Sequence, residues 1–328
     1  MSKRLFFAAA FLLLLCFGPH ASGSPASGSP ANGSPRETTA FNADWQFHLG
    51  DIPDVDAATN DSDIDWQAVR LPHDWSIRQG YRQEDTGGST GFLPGGIGWY
   101  QKRFSLPEDD RGKIVRIEFD GVYCKSEVWI NGQRLGFRPS GYSSFSYDLT
   151  EHLNFGQQPN VIIVKVDHSA YLDSRWYTGS GIYRNVRLVK SSPVHIPQWG
   201  VQITTPDVDA DAADVHVRTT VVGPDSSNAV VEISIIDADG TVVATEVASE
   251  SQGLFECTIA VPDPALWSVD SPHLYTARTT VKMDGSSVDE TDTTFGIRSF
   301  NFDADKGFFL NGESMKIKGV NLHHDAGA

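Results

Sequence analysis

Cysteine is scarce: the 328 residues include three, alongside three methionines. Cys16 lies in an N-terminal apolar run, which leaves Cys124 and Cys257 in what read as different domains. That excludes a disulfide-stapled scaffold, predicts two buried free thiols, and supplies too few ligands for a cysteine metal site. Positive charge is also short. Lys and Arg number 26 against 42 Asp and Glu, for a formal net charge of −16 and a pI near 4.9. Such a surface repels phosphate backbones, so nucleic acid is excluded as a partner. Helical periodicity is almost absent, and no apolar run beyond the N-terminal one is long enough to read as a membrane span.

What is present starts with a leader. Lys3 and Arg4 precede "LFFAAAFLLLLCF", and small residues follow in "PHASG", the pattern of a secretory signal over residues 1–22. The mature chain is therefore expected to be secreted or periplasmic, with no membrane association after cleavage. A lipid anchor at Cys16 would need a small residue where Leu15 stands. Gly-Ser-Pro then recurs three times in "GSPASGSPANGSP", a composition that cannot bury a core and reads as a flexible linker over residues 23–36.

Beyond the linker, short alternating runs dominate: "VRIEF" (115–119), "SEVWI" (126–130), "VIIVKV" (161–166), "VVEISII" (230–236) and "TVVATEV" (241–247). Period-two alternation rich in β-branched residues predicts half-buried strands. Asn131-Gly132, Asp239-Gly240, Asp284-Gly285 and Asn311-Gly312 each separate apolar runs and suit tight hairpin turns that need positive φ. The fold class is all-β. Residues 37–192, rich in Trp, Tyr and Gly with long loops, predict a jelly-roll-like sandwich. Residues 193–296, plainer and evenly punctuated by turns, predict an immunoglobulin-like sandwich. Residues 297–328 hold a hairpin, "GFFLNGE", and an apolar strand, "MKIKGVN", too little for an independent domain.

Loops of the first block carry the polar and aromatic clusters: "LPHDW" (71–75), "GGIGWYQKRF" (95–104), "SGYSSFSYDLT" (140–150) and "SRWYTGSGIYRNV" (174–186). Charged groups among aromatic faces form a surface for a polyhydroxylated ligand or a packing surface for a neighbouring domain, and composition alone leaves both open. Near the C-terminus "GVNLHHDAGA" offers two adjacent histidines. On an extended strand they diverge, and no "HExxH" spacing exists, so a metal site is not predicted.

In this order and spacing the clusters, with "FDGVYCKSEVWINGQRLG" and "FGIRSFNFDADKGFFLNGESMKIKGVNLHHD", resemble the N-terminal region of glycoside hydrolase family 2, in particular its secreted β-galactosidase-like branch. The resemblance implies a sugar-binding jelly roll, an immunoglobulin-like domain and a (β/α)8 barrel of which this chain holds the first strand. It also implies retaining hydrolysis of β-galactosides by two carboxyl groups about 5 Å apart. The family's acid/base follows Asn in an Asn-Glu pair, and no such dipeptide occurs in this sequence. No catalytic residue is therefore assigned, no cofactor is expected, and the chain alone is expected to be inactive. Glu118 and Glu127, placed by alternation, are expected to face solvent.

Residue by residue, the resemblance implies substrate contacts at Asp74 of "LPHDW", Arg175 and Trp176 of "SRWYTGSGIYR", and His323. Asp74 also suits the cap of its own turn. Some relatives bind sodium through an aspartate where this sequence has Ser174-Arg175, so no metal is assigned. Arg184 is expected to tie its loop to carbonyls. If the strand stays extended, Ile317, Gly319, Asn321 and His323 share one face. The expected partner is a β-galactoside, with homo-oligomerisation left open. A β-glucuronidase- or β-mannosidase-type relative, or a secreted non-catalytic carbohydrate-binding protein, are the alternatives.

Overall fold

Val115, Ile117 and Phe119 alternate with Arg116 and Glu118, and the strand Ile114–Phe119 buries the three apolar residues completely. Each such side chain contributes about 1.5–3 kcal/mol of burial, and the same alternation repeats along the chain. The computed structural model describes residues 35–84, 86–170, 176–209 and 211–321. The leader, most of the linker, Arg175 and His323 lie outside the described residues. Every ladder among the described strands is antiparallel.

The first sandwich packs a 6-stranded sheet on a 4-stranded one. The larger sheet runs Gln67–Val69, Trp45–Leu49, Gly96–Phe104, Asn160–His168, Ser126–Ile130, Gln133–Arg138. The smaller runs Glu37–Ala40, Val186–Ser191, Ile114–Phe119, Phe145–Asp148. Trp45, Trp75, Tyr100, Phe119 and Phe145 fill the space between them. The second sandwich sets Val201–Val208, Ala212–Thr220, Leu254–Pro262, Ser249–Ser251 against Val242–Val247, Val230–Ile236, Tyr275–Met283, Ser286–Phe295 around its own core. All five alternating runs are strands. Asn131-Gly132, Asp284-Gly285 and Asn311-Gly312 have positive φ at both residues, whereas at Asp239-Gly240 only the glycine does. Asp237 explains the difference: its Oδ1 accepts from Asp239 N and Thr241 N and closes a longer turn.

Three expectations change. Glu118 does point away from its own sandwich core, yet it is only 8 % exposed, because the second sandwich covers that face of the sheet. Glu127 remains half-exposed and pairs with Arg134 at 2.8 Å. Met315–Asn321 forms no strand: the last backbone bond is Met315 N to Phe308 O at 2.9 Å, and Ile317 and Val320 stand exposed. Apolar character alone does not make a strand where no ladder partner lies alongside. Cys124 is buried and Cys257 only half-buried, and neither forms a disulfide among the described residues.

A buried carboxylate joins the sandwiches. Asp289, on the second, is fully buried and accepts from Arg36 Nε at 2.9 Å, Arg36 Nη2 at 2.6 Å and Ile196 N at 2.7 Å. Arg36 stands directly before the first strand of the first sandwich, so the chain is fastened where the linker composition ends. Removing one partner of a buried pair strands the other's charge. Asp289→Ala is expected to lower unfolding stability by about 3–5 kcal/mol, read by urea denaturation; a loss below 1 kcal/mol would show that the junction does not depend on this pair.

Candidate functional site

The loop 71–76 runs beside 180–182, held by His73 N donating to Ile182 O at 2.8 Å and Trp75 N to Ser180 O at 3.1 Å. Glycine at 181 is obligatory there: φ is +112° and a Cβ would sit 2.2 Å from Tyr100 Oη. With Trp75 turned into the core, Asp74 faces the opposite loop. Its Oδ1 accepts from Ser76 N at 2.9 Å and Ser180 N at 3.0 Å, and its Oδ2 accepts from Tyr177 Oη at 2.5 Å. Burial and the adjacent carboxylate push the Tyr177 phenol far above its ordinary value, so it stays a donor.

Below this floor runs a buried polar chain. His168 Nδ1 meets Ser180 Oγ at 2.7 Å, Ser180 Oγ meets Ser76 Oγ at 2.5 Å, and Ser76 Oγ donates to Pro94 O at 2.7 Å. His73 Nδ1 meets Tyr100 Oη at 2.9 Å. Burial, with a smaller contribution from Arg78, lowers the His73 pKa to about 4, so the ring is neutral at pH 7.

Aromatic rings form the wall. Trp176, 44 % exposed, donates from Nε1 to Tyr142 Oη at 2.9 Å, and Tyr142 is 53 % exposed. Tyr123 packs edge-on against both Tyr142 and His168, with centroids 5.4 and 4.9 Å away. The structure thus brings Asp74 and Trp176 together through Tyr177. Arg184 is exposed and, among the described residues, makes no hydrogen bond to a carbonyl. Its neighbour Tyr183 does that work, donating to Gly141 O at 2.8 Å. Tyr142 and Tyr177 were not singled out from the sequence, although a tyrosine in a Gly- and Ser-rich loop was a signal for both. Among the described residues no group of three His, Cys, Asp or Glu is placed to hold a metal. What remains is an acceptor held by three donors, and two exposed rings, groups whose chemistry suits hydroxyl donors and flat apolar faces.

Residues 39–192 match the sugar binding domain of glycosyl hydrolases family 2, and residues 194–298 match glycosyl hydrolases family 2. The chain belongs to glycosyl hydrolase family 2. It is 48 % identical over 300 residues to a β-galactosidase of Bacteroides ovatus, covering 89 % of this chain and 35 % of that one. It is 32 % identical to a β-glucuronidase of Formosa agariphila, over 87 % of this chain and 32 % of that protein. In structure it resembles a β-glycosidase from Bacteroides vulgatus with a TM-score of 0.80 and 40 % identity, over 87 % of this chain and 37 % of that one. The family 2 chain thus spans about a third of the length of these curated relatives.

The buried histidine sets a pH dependence. Between about 4 and its ordinary 6.5, His73 binds a proton in the unfolded chain and not in the folded one. Stability is therefore expected to be level above pH 6.5 with respect to this group and to fall as pH drops toward 4. His195, lowered mainly by burial, acts in the same direction. Urea denaturation across this range should show a shallower pH slope for His73→Gln than for the parent; equal slopes would remove His73 from the account.

Proposed function

We propose that the chain is the sugar-gripping, non-catalytic N-terminal part of an exported retaining glycosidase that acts on β-galactosides. The observation that carries the reading is Asp74. A carboxylate offers about four lone-pair sites, three here receive protein donors, and the fourth serves a sugar hydroxyl. Trp176 and Tyr142 supply the stacking wall, and Arg175 and His323 join as further substrate contacts. The 48 % identity to a β-galactosidase supports the choice of sugar. Hydrolysis belongs to carboxylates of the barrel, since no Asn-Glu pair occurs in this sequence. The N-terminal segment supports export.

The test is calorimetric. The purified 328-residue chain should bind methyl β-D-galactopyranoside and leave a chromogenic β-galactoside uncleaved. Asp74→Asn should weaken binding roughly 10- to 100-fold, the worth of one charge-assisted hydrogen bond. Preference for a β-glucuronide, which the 32 % relative makes the second reading, would overturn the choice of sugar. Cleavage by the purified chain would overturn the non-catalytic assignment.

A further inference from the structure

The segment "VHIPQWG" crosses from one sandwich to the other and makes a turn, Gly200 N donating to Pro197 O at 2.9 Å. Trp199 occupies the third position of that turn with φ +57°, a left-handed conformation that a bulky side chain rarely adopts. It is also 68 % exposed. Neither packing nor backbone preference accounts for tryptophan here, and strain retained at one residue is a mark of function.

Trp199 borders a cavity of about 300 Å³ between the sandwiches, away from the Asp74 loops and lined also by Glu118, Arg187, Thr38, Thr291 and Thr293. The three threonine hydroxyls make no hydrogen bond among the described residues. Glu118 pairs with Arg187 at 3.6 Å and Arg116 at 3.9 Å, contacts too long to saturate the acceptor sites of its two oxygens. Behind it Arg116, its side chain 9 % exposed, has three guanidinium nitrogens buried without a hydrogen bond. Three charged residues line the cavity, Arg36, Arg187 and Glu118, and charge balances once their partners behind the wall are counted: Arg36 pairs with Asp289, Arg187 with Asp120, and Glu118 with Arg116. A balanced wall favours a neutral ligand over an ion, and the chemistry offered is an aromatic plane ringed by hydroxyls and a carboxylate–guanidinium pair.

We propose that this cavity is a second carbohydrate site, which takes one neutral hexopyranose unit with its apolar face on Trp199 and its hydroxyls on Glu118, Arg187, Thr291 and Thr293. The test uses the full chain carrying ¹⁵N-labelled tryptophan indoles, titrated with methyl β-D-galactopyranoside, methyl β-D-glucopyranoside and a galacto-oligosaccharide. The Trp199 signal, assigned by its loss in Trp199→Phe, should shift saturably and do so unchanged in Trp176→Ala. A tighter response to the oligosaccharide assigns the ligand to a polysaccharide unit, an equal one to a single sugar. Thr291→Val combined with Thr293→Val should weaken the response about tenfold. Trp199→Asn, which suits positive φ, should abolish the site and raise the melting temperature by about 2–4 °C.

A Trp199 signal that stays put with all three sugars, one that shifts only in parallel titrations with sodium glucuronate or sulfate, or a lower melting temperature in Trp199→Asn would each overturn the proposal. Because Trp176 is followed in the same spectra, failure at the Asp74 loops is read separately from failure here.

Discussion

The arrangement of this molecule depends on one buried carboxylate. Taking Asp289 out of water costs several kcal/mol, which three donors at 2.6–2.9 Å must offset. Two of those come from Arg36 and the third from Ile196 N, so the anion is satisfied only when the chain before the first sandwich and the connector to the second converge on it. A buried charge of this kind tolerates little displacement. Hydrophobic contact would let two sandwiches slide, but a carboxylate fixed on two sides specifies one docking.

That docking turns an outer sheet face into an interior. Arg116 and Glu118 project from Ile114–Phe119 on the side opposite Val115 and Ile117, where an isolated sandwich would meet water. The second sandwich closes over them, and burial followed by repulsion from Arg36 lowers the Arg116 pKa. Neighbouring Arg187 is stabilised in the opposite direction, chiefly by its hydrogen bond to Asp120. Local composition would place all these groups in solvent. Their environment is set by a partner more than a hundred residues away in sequence.

This marks how far sequence could be read. Alternation assigned the strands, because Val115, Ile117 and Phe119 bury on one side by geometry that belongs to the strand itself. Turn chemistry located Asn131-Gly132, Asp284-Gly285 and Asn311-Gly312 for the same local reason. Glu118 was misplaced because a period of two tells which side of a sheet a residue occupies and not what covers that side. Met315–Asn321 was misplaced because a strand is a relation between two segments. In the loops, Asp74 and Trp176 could be named from motifs. The bonds from Tyr177 to Asp74 and from Trp176 to Tyr142, across 103 and 34 residues, exist only once the fold has brought the loops together.

The Asp74 loops answer an apparent conflict between latch and ligand contact. An aspartate that caps its own turn through Ser76 N and also holds Ser180 N and Tyr177 is committed to the fold, yet that commitment suits recognition. Ordering the side chain costs free energy that folding has already offset, so little remains to be lost when a hydroxyl arrives. A carboxylate fixed in this way, on a chain of net charge −16, is an acceptor whose field suits a neutral hydroxyl donor better than a second anion.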